Sequence, residues 1–223
     1  MPEEPSRTEQ NTGNIAPRRL AIFLLAALIV VVILYRSFVL SRPEAYRPQP
    51  QPPASSVDRV VPPFILTSSN GQPISLRDLN DSYWIACFFF TACPGPCLKM
   101  SQQMETLQAL LANKPEVKLV SISVDPKNDT PIQLSRYAER FHADPKRWLF
   151  LTGDPRQIYQ LASKGFLLPV SGSPHDAMTA EGPLAHSTKF ILVGKSGQIR
   201  RYFDGLDKNL AEQVQQALAE EGA

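Results

Sequence analysis

The sequence predicts an α/β domain, a mixed sheet flanked by helices, with one N-terminal transmembrane helix ahead of it. Three observations carry that expectation. Apolar runs of strand length alternate with helical patterns from residue 83 to about residue 164, as in sheets built by crossover connections. A hairpin and a last helix then close the chain, adding antiparallel strands to that sheet. Near the N-terminus, the run from Leu20 to Tyr35 contains no charged residue.

Residues 1–19 are polar and offer nothing to pack. The apolar run follows. With the residues to Leu40, interrupted by Arg36, it reaches the roughly 20 residues needed to cross a bilayer. A core helix would keep a polar face, and this run has none. A cleaved signal peptide is the alternative, but the run exceeds the usual apolar core and no small-x-small cleavage site follows it. Arg18 and Arg19 precede the span while Arg36, Arg42 and Arg47 follow it, so the positive-inside rule leaves orientation open. Residues 41–60 form a linker. Pro43, Pro48, Pro50, Pro52 and Pro53 lie within it and Pro62 and Pro63 just beyond, a composition that favours extended, semi-rigid chain.

The folded domain is expected over residues 61–223. Residues 64–67 read as a short strand, and Asn70-Gly71 is a hairpin turn signal. Residues 83–90 are apolar throughout, as in a strand covered on both faces. After a cysteine-bearing segment, Met100, Met104, Leu107 and Leu111 recur at helical spacing. Residues 117–124 make a second buried strand. Thr130-Pro131-Ile132-Gln133 has the form of a capping box with Pro at the first helical position, so a helix should run to about His142. Residues 148–151 are a third strand. Asp154-Pro155 opens another helix, to about Lys164. Residues 166–185, with Gly, Ser and Pro, read as a loop. Residues 188–193 and 198–203 form a hairpin through Gly194-Lys195-Ser196-Gly197, and Leu206, Leu210, Val214 and Leu218 share one face of the final helix.

A net charge of +2 over 223 residues is too small to point to nucleic acid. Three cysteines do not make a disulfide framework. Two of them stand together in Cys93-Pro94-Gly95-Pro96-Cys97, where a buried strand meets a helix. At i and i+4 they share one face of the first turns, and the helix N-terminus favours thiolate. Their Cα atoms should lie roughly 6 Å apart, within disulfide range; two thiolates also suit a soft cation such as Cu(I). Redox pair and metal site both remain open at this point. Thioredoxin-type enzymes carry two residues between their cysteines, and here there are three. Peroxiredoxins place Thr three positions before the reactive Cys, whereas Thr91 is two before Cys93. Structural zinc usually takes four ligands, and the remaining thiol, Cys87, lies inside an apolar strand as an inert buried group.

A third donor would come from His142, His175 or His186. His142 at a helix end suits capping or solvent. His175 lies in the long loop, where polar residues are commonly exposed. His186 precedes a strand and is equally readable as a ligand or a satisfied polar residue. Asp125 and Asp129 suit turn and cap positions, with a charge near a metal as the functional alternative. Met100 and Met104 belong to the packing stripe, although thioether sulfur binds Cu(I). Arg200 and Arg201 suit a solvated strand end as well as an acidic partner.

The segments Phe88-Phe89-Phe90-Thr91-Ala92-Cys93-Pro94-Gly95-Pro96-Cys97, Val120-Ser121-Ile122-Ser123-Val124-Asp125-Pro126-Lys127-Asn128-Asp129-Thr130-Pro131, Trp148-Leu149-Phe150-Leu151-Thr152-Gly153-Asp154 and His186-Ser187-Thr188 occur in this order. Together they resemble the Sco/SenC family, membrane-anchored thioredoxin-like proteins that help assemble the copper A site of cytochrome c oxidase. The resemblance spans about residues 62–205. It implies a thioredoxin-like domain, a bound copper ion, and Cys93, Cys97 and His186 as its ligands. It also implies a copper-bearing oxidase subunit or another copper protein as partner, and a domain on the outer, periplasm-type side of the membrane. Thiol–disulfide exchange with a partner's cysteines is the alternative activity, and a non-catalytic assembly module a third. Two positions depart from the pattern: Leu98 stands where many members have Pro, and Gly95 where many have an acidic residue.

Overall fold

The computed structural model describes residues 15–40, 59–93, 95–169 and 187–223. The chain divides into two compact units, Met1–Arg47 and Pro48–Ala223. The first contains one helix, α1 (Ile15–Leu40), with side chains described at residues 22–33, 35 and 36. Among the described residues, no helix is long and apolar enough to cross a membrane.

The second unit is built on a seven-stranded mixed sheet in the order β2-β1-β5-β4-β3-β6-β7. Its strands are β1 (Ile65–Ser68), β2 (Pro73–Ser75), β3 (Tyr83–Phe89), β4 (Val117–Ser123), β5 (Trp148–Thr152), β6 (Lys189–Val193) and β7 (Ile199–Asp204). Strands β3, β4 and β5 are parallel. Strand β1 is antiparallel to β5, and β6 and β7 add antiparallel strands beside β3. The helices are α2 (Pro96–Leu110), α3 (Pro131–Arg140), α4 (Pro155–Gln160) and α5 (Leu210–Glu220). This is the expected mixed sheet flanked by helices, in thioredoxin-like form.

All seven residues of β3 are buried, and its alternation divides the core into two layers. Trp84 and Phe88 pack edge-on against Phe166 on one face. On the other, Phe89 meets Tyr137 of α3 and Phe150 of β5, and Trp148 stacks on Phe150 with centroids 4.8 Å apart. Met100, Met104 and Leu107 of α2 are buried, as packing residues rather than metal donors. Cys87 is likewise buried, its sulfur 3.5 Å from Ser121 Oγ, which accepts the Trp148 indole N–H at 3.0 Å.

Several boundaries differ from expectation for local reasons. Phe64 packs into the core ahead of β1, which begins at Ile65. The chain after Gly71, whose φ is +82°, returns as the short β2 and a 3-10 turn, Leu76–Leu79. Helix α3 ends at Arg140, because His142 adopts a left-handed φ of 49°. Thr130 accepts from the Gln133 amide, one half of the expected capping box. Helix α4 passes into a π turn, Leu161–Gly165. Leu206 lies in the turn before α5, where its amide donates to Asp204 Oδ1.

The chain joins the sheet at its β7 edge. Val60 bridges antiparallel to Gln198, Val61 N donates to Gly197 O, and Ile199 N donates to Arg59 O.

Candidate metal centre

Parallel strands β3 and β4 lie in register from Tyr83 opposite Val117 to Phe89 opposite Ser123. Their C-terminal ends therefore share one edge of the sheet, and each continues into a helix. After β3 the chain turns, with Cys93 N donating to Phe90 O, and α2 starts at Pro96 with Gly95 as its N-cap. A proline at the first helical position costs no hydrogen bond there. Cys97 is thus the second residue of α2, at 2 % exposure, and Cys93 lies just outside, half-buried.

The two sulfurs converge. The Cys97 thiol donates to Cys93, and the Phe90 amide donates to Cys97. All three cysteines are thiols. The proton held against Cys93, and then burial, push Cys97 well above the ordinary thiol range; the Phe90 amide pulls the other way and is outweighed. The first-turn position alone would lower it, so the mutual hydrogen bond and burial decide the sign. Below Cys97, one turn along α2, Ser101 Oγ meets Tyr137 Oη at 3.0 Å. Burial pushes the Tyr137 phenol up to about 12.

A buried carboxylate fixes the segment before the dithiol. Asp129, fully buried, accepts from Thr91 N at 3.1 Å, Thr91 Oγ1 at 2.6 Å and Ser123 Oγ at 2.5 Å. Ser123 Oγ in turn accepts from Asp125 N at 3.0 Å. Burial raises the Asp129 carboxyl, although its three hydrogen bonds oppose the shift. The sequence suggests a turn or cap role for Asp129; the helix cap proper is its neighbour Thr130. The tie to Thr91 joins residues 38 apart, and no local pattern announces it. Asp125 closes its own turn, accepting both contacts from Asn128 Nδ2 and the Asp129 amide on its carbonyl.

The other candidates fall elsewhere. His142 lies beyond the far end of α3, exposed, with Nδ1 2.9 Å from Glu105 Oε1. His175 and His186 lie outside the described residues. Arg200 and Arg201 face Glu221 and Glu220 at 3.2 and 2.7 Å. Among the described residues, no three His, Cys, Asp or Glu side chains gather as a metal site; the dithiol brings two sulfur donors together. Convergent thiols fit a soft, low-coordinate ion and are too few for structural zinc.

The chain matches the family described as SCO1/SenC over residues 52–221. It is 34% identical over 149 residues to the SCO1 protein homolog of Bacillus subtilis (strain 168), covering 66% of this chain and 75% of that one. The solved structure of BsSco, a member of the Sco family of cytochrome c oxidase assembly proteins in which a disulfide switch was identified, superposes with a TM-score of 0.60. It is 30% identical, with 73% of this chain and 95% of that chain covered. Arabidopsis thaliana ScoI, crystallised with copper bound, shares the fold at a TM-score of 0.60 and 22% identity, with 73% of this chain and 99% of that chain covered.

Proposed function

The chain belongs to the SCO1/SenC family, and on that footing we propose that it is a membrane-anchored copper-binding metallochaperone assisting assembly of the copper A site of cytochrome c oxidase. The observation that carries this reading is the convergence of Cys93 and Cys97 at the start of α2. Copper is the cargo, and Cys93, Cys97 and His186 hold it. Two thiolates favour Cu(I) by their softness, and imidazole suits the same metal. The Asp129 tie fixes the backbone ahead of Cys93, so both sulfurs meet the ion from a preset frame. Relatives of this fold hold copper, which supports the assignment. The partner is the copper-bearing oxidase subunit or another copper protein. The uncharged run from Leu20 to Tyr35 supports an anchor, and the family membership supports a domain on the outer side of the membrane.

Copper titration of the full-length protein in detergent should give about one ion per chain, with two sulfurs and one nitrogen in its X-ray absorption first shell. Cys93→Ser should abolish loading, and His186→Ala should weaken it. A first shell without sulfur, or full loading of Cys93→Ser, would refute the reading. A C-terminal reporter active only in the cytoplasm would refute the placement.

Thiol–disulfide exchange on a partner's cysteines is favoured by one specific observation: the two thiols are hydrogen-bonded neighbours, and one is half-buried while the other is buried. His186→Ala that keeps reductase activity while losing copper would assign that activity to the dithiol alone.

A further inference from the structure

Helices α2 and α3 start at the same edge of the sheet and run side by side. Ser101 Oγ joins them to Tyr137 Oη at 3.0 Å and, further down, His142 Nδ1 meets Glu105 Oε1 at 2.9 Å. Leu98 lies about one turn above Ser101, and Ile132 about one and a half turns above Tyr137, in the first turns of α2 and α3. Leu98 is 40 % exposed, and Ile132, at 69 %, is the most exposed large apolar side chain described in the second unit. The core takes Met100, Met104 and Leu134 from these helices instead. The charge around the two apolar side chains has one sign. Across residues 91–99 and 125–136, the exposed charged side chains are Lys99, Lys127 and Arg136. The carboxylates of those stretches are engaged: Asp129 is buried on Thr91 and Ser123, and Asp125, half-buried, holds Asn128. Ion pairs among the described residues lie elsewhere, at His142–Glu105, Arg200–Glu221 and Arg201–Glu220, so no described carboxylate pairs with any of the three.

We propose that Leu98 and Ile132, rimmed by Lys99, Lys127 and Arg136, form the face on which the copper-bearing acceptor docks, and that the acceptor presents an apolar contact ringed by Asp and Glu. The inference rests on the copper-delivery reading for the identity of the partner; the partner's chemistry is read from the face itself. An apolar centre within a polar rim is the anatomy of a protein interface, and a rim of one sign selects a partner of the other. Continuity with the dithiol favours a protein that meets the ion over a lipid surface. Lys99 is two residues from Cys97, and the turn that carries Lys127 is tied through Asp129 to Thr91, two residues from Cys93. The rim acts on the rate of approach, and the apolar pair on the time the partner stays.

The test uses the full-length protein in phosphatidylcholine nanodiscs, held on a sensor surface. The probe is the metal-free, soluble copper-bearing domain of the oxidase subunit from the same organism. Lys127→Glu with Arg136→Glu should slow association about tenfold at low salt and flatten its salt dependence. Lys127→Arg with Arg136→Lys should keep the wild-type rate. Ile132→Ala should speed dissociation about fivefold or more with little change in association. Copper loading should stay at the wild-type level in all of these variants, which leave Cys93, Cys97 and His186 in place. Lys146→Glu, an exposed charge beyond the far end of α3, is the control and should associate as wild type. A wild type that does not bind the domain would overturn the proposal. So would an association rate unmoved by the double reversal, or equal slowing in Lys146→Glu, which marks net charge rather than this face. Vesicles of phosphatidylcholine with one quarter phosphatidylglycerol are the second probe. Their capture through Lys127 and Arg136, with the domain unaffected by the same variants, would assign the face to lipid and overturn the proposal. Docking that follows these residues in a protein that binds no copper keeps the face and fells the copper reading; full copper loading with docking indifferent to them does the reverse.

Discussion

Cys87 and Cys97 are both buried thiols, yet different neighbours raise them. Burial alone pushes Cys87 from 9.0 to about 12, whereas Cys97 is raised first by the proton it shares with Cys93. The first shift has a consequence for stability. An unfolded chain releases the Cys87 proton near pH 9, and the folded chain holds it until about pH 12. Between those values the folded state binds more protons, so stability falls as pH rises, by about 1.4 kcal/mol per unit for this one group. Below pH 9 the contribution is complete; above 12 it is gone. Urea unfolding at pH 8 and pH 10 should show a smaller alkaline loss in Cys87→Ala than in wild type, and equal losses would remove Cys87 from the account. The dithiol is legible in the sequence because its members are four apart and lie between an unbroken apolar strand and a helical stripe. Cys87 is legible as buried because Ile85 and Phe89 flank it in an alternation without a polar face. The hydrogen bond of Cys97 to Cys93 is not legible, since it depends on the turn from Phe90 to Cys93.

At the scale of elements, the connection β3–α2 is pinned to the connection β4–α3 by Asp129. Thr91 lies on the first and Ser123 at the start of the second, and both spend their hydroxyl protons on the same carboxylate. Truncation of the carboxylate leaves Thr91 N and two hydroxyls without their acceptor, the Ser123 hydroxyl fully buried and Thr91 partly so. Asp129→Ala should therefore lower unfolding free energy by about 2 kcal/mol or more, read by urea denaturation, with Asp129→Asn recovering part of it. An unchanged midpoint would show that the tie is redundant. Long buried strands are the most readable part of this chain. Residues 83–89 and 117–123 have no polar face to hide, and Pro131 and Pro155 mark helix starts by what proline forbids. Strand β2 has three residues beginning with Pro73, all at least partly exposed, so it carries neither alternation nor a β-branched run. The π turn after α4 leaves no trace either, because it keeps helical composition and changes only the bonding, as in Phe166 N to Leu161 O. The Asp129 tie is silent for a third reason: sequence spacing does not reveal which strands become neighbours.

The whole molecule is two units, and the sheet lies entirely in the second. Its two aromatic layers are closed by its own helices, so residues 48–223 should fold alone. A fragment covering them should unfold in a single urea transition, with circular dichroism and Trp fluorescence coincident; two separated transitions would show that α1 supplies something the domain needs. The sheet's mixed character follows from the order of strands and helices in the sequence, but the placement of β6 beside β3 rather than at the far edge requires the structure. So does the attachment of residues 59–61 to the β7 edge. That attachment governs how mechanical load enters the domain. Tension arriving through the preceding residues first meets Ile199 N–Arg59 O and only then Val61 N–Gly197 O, bonds at the sheet's margin that peel in succession rather than shear together. A pull from the N-terminal side thus unfastens a short marginal strip before it reaches β3, and the spacing of Cys93 and Cys97 is insulated from force on the chain that precedes them.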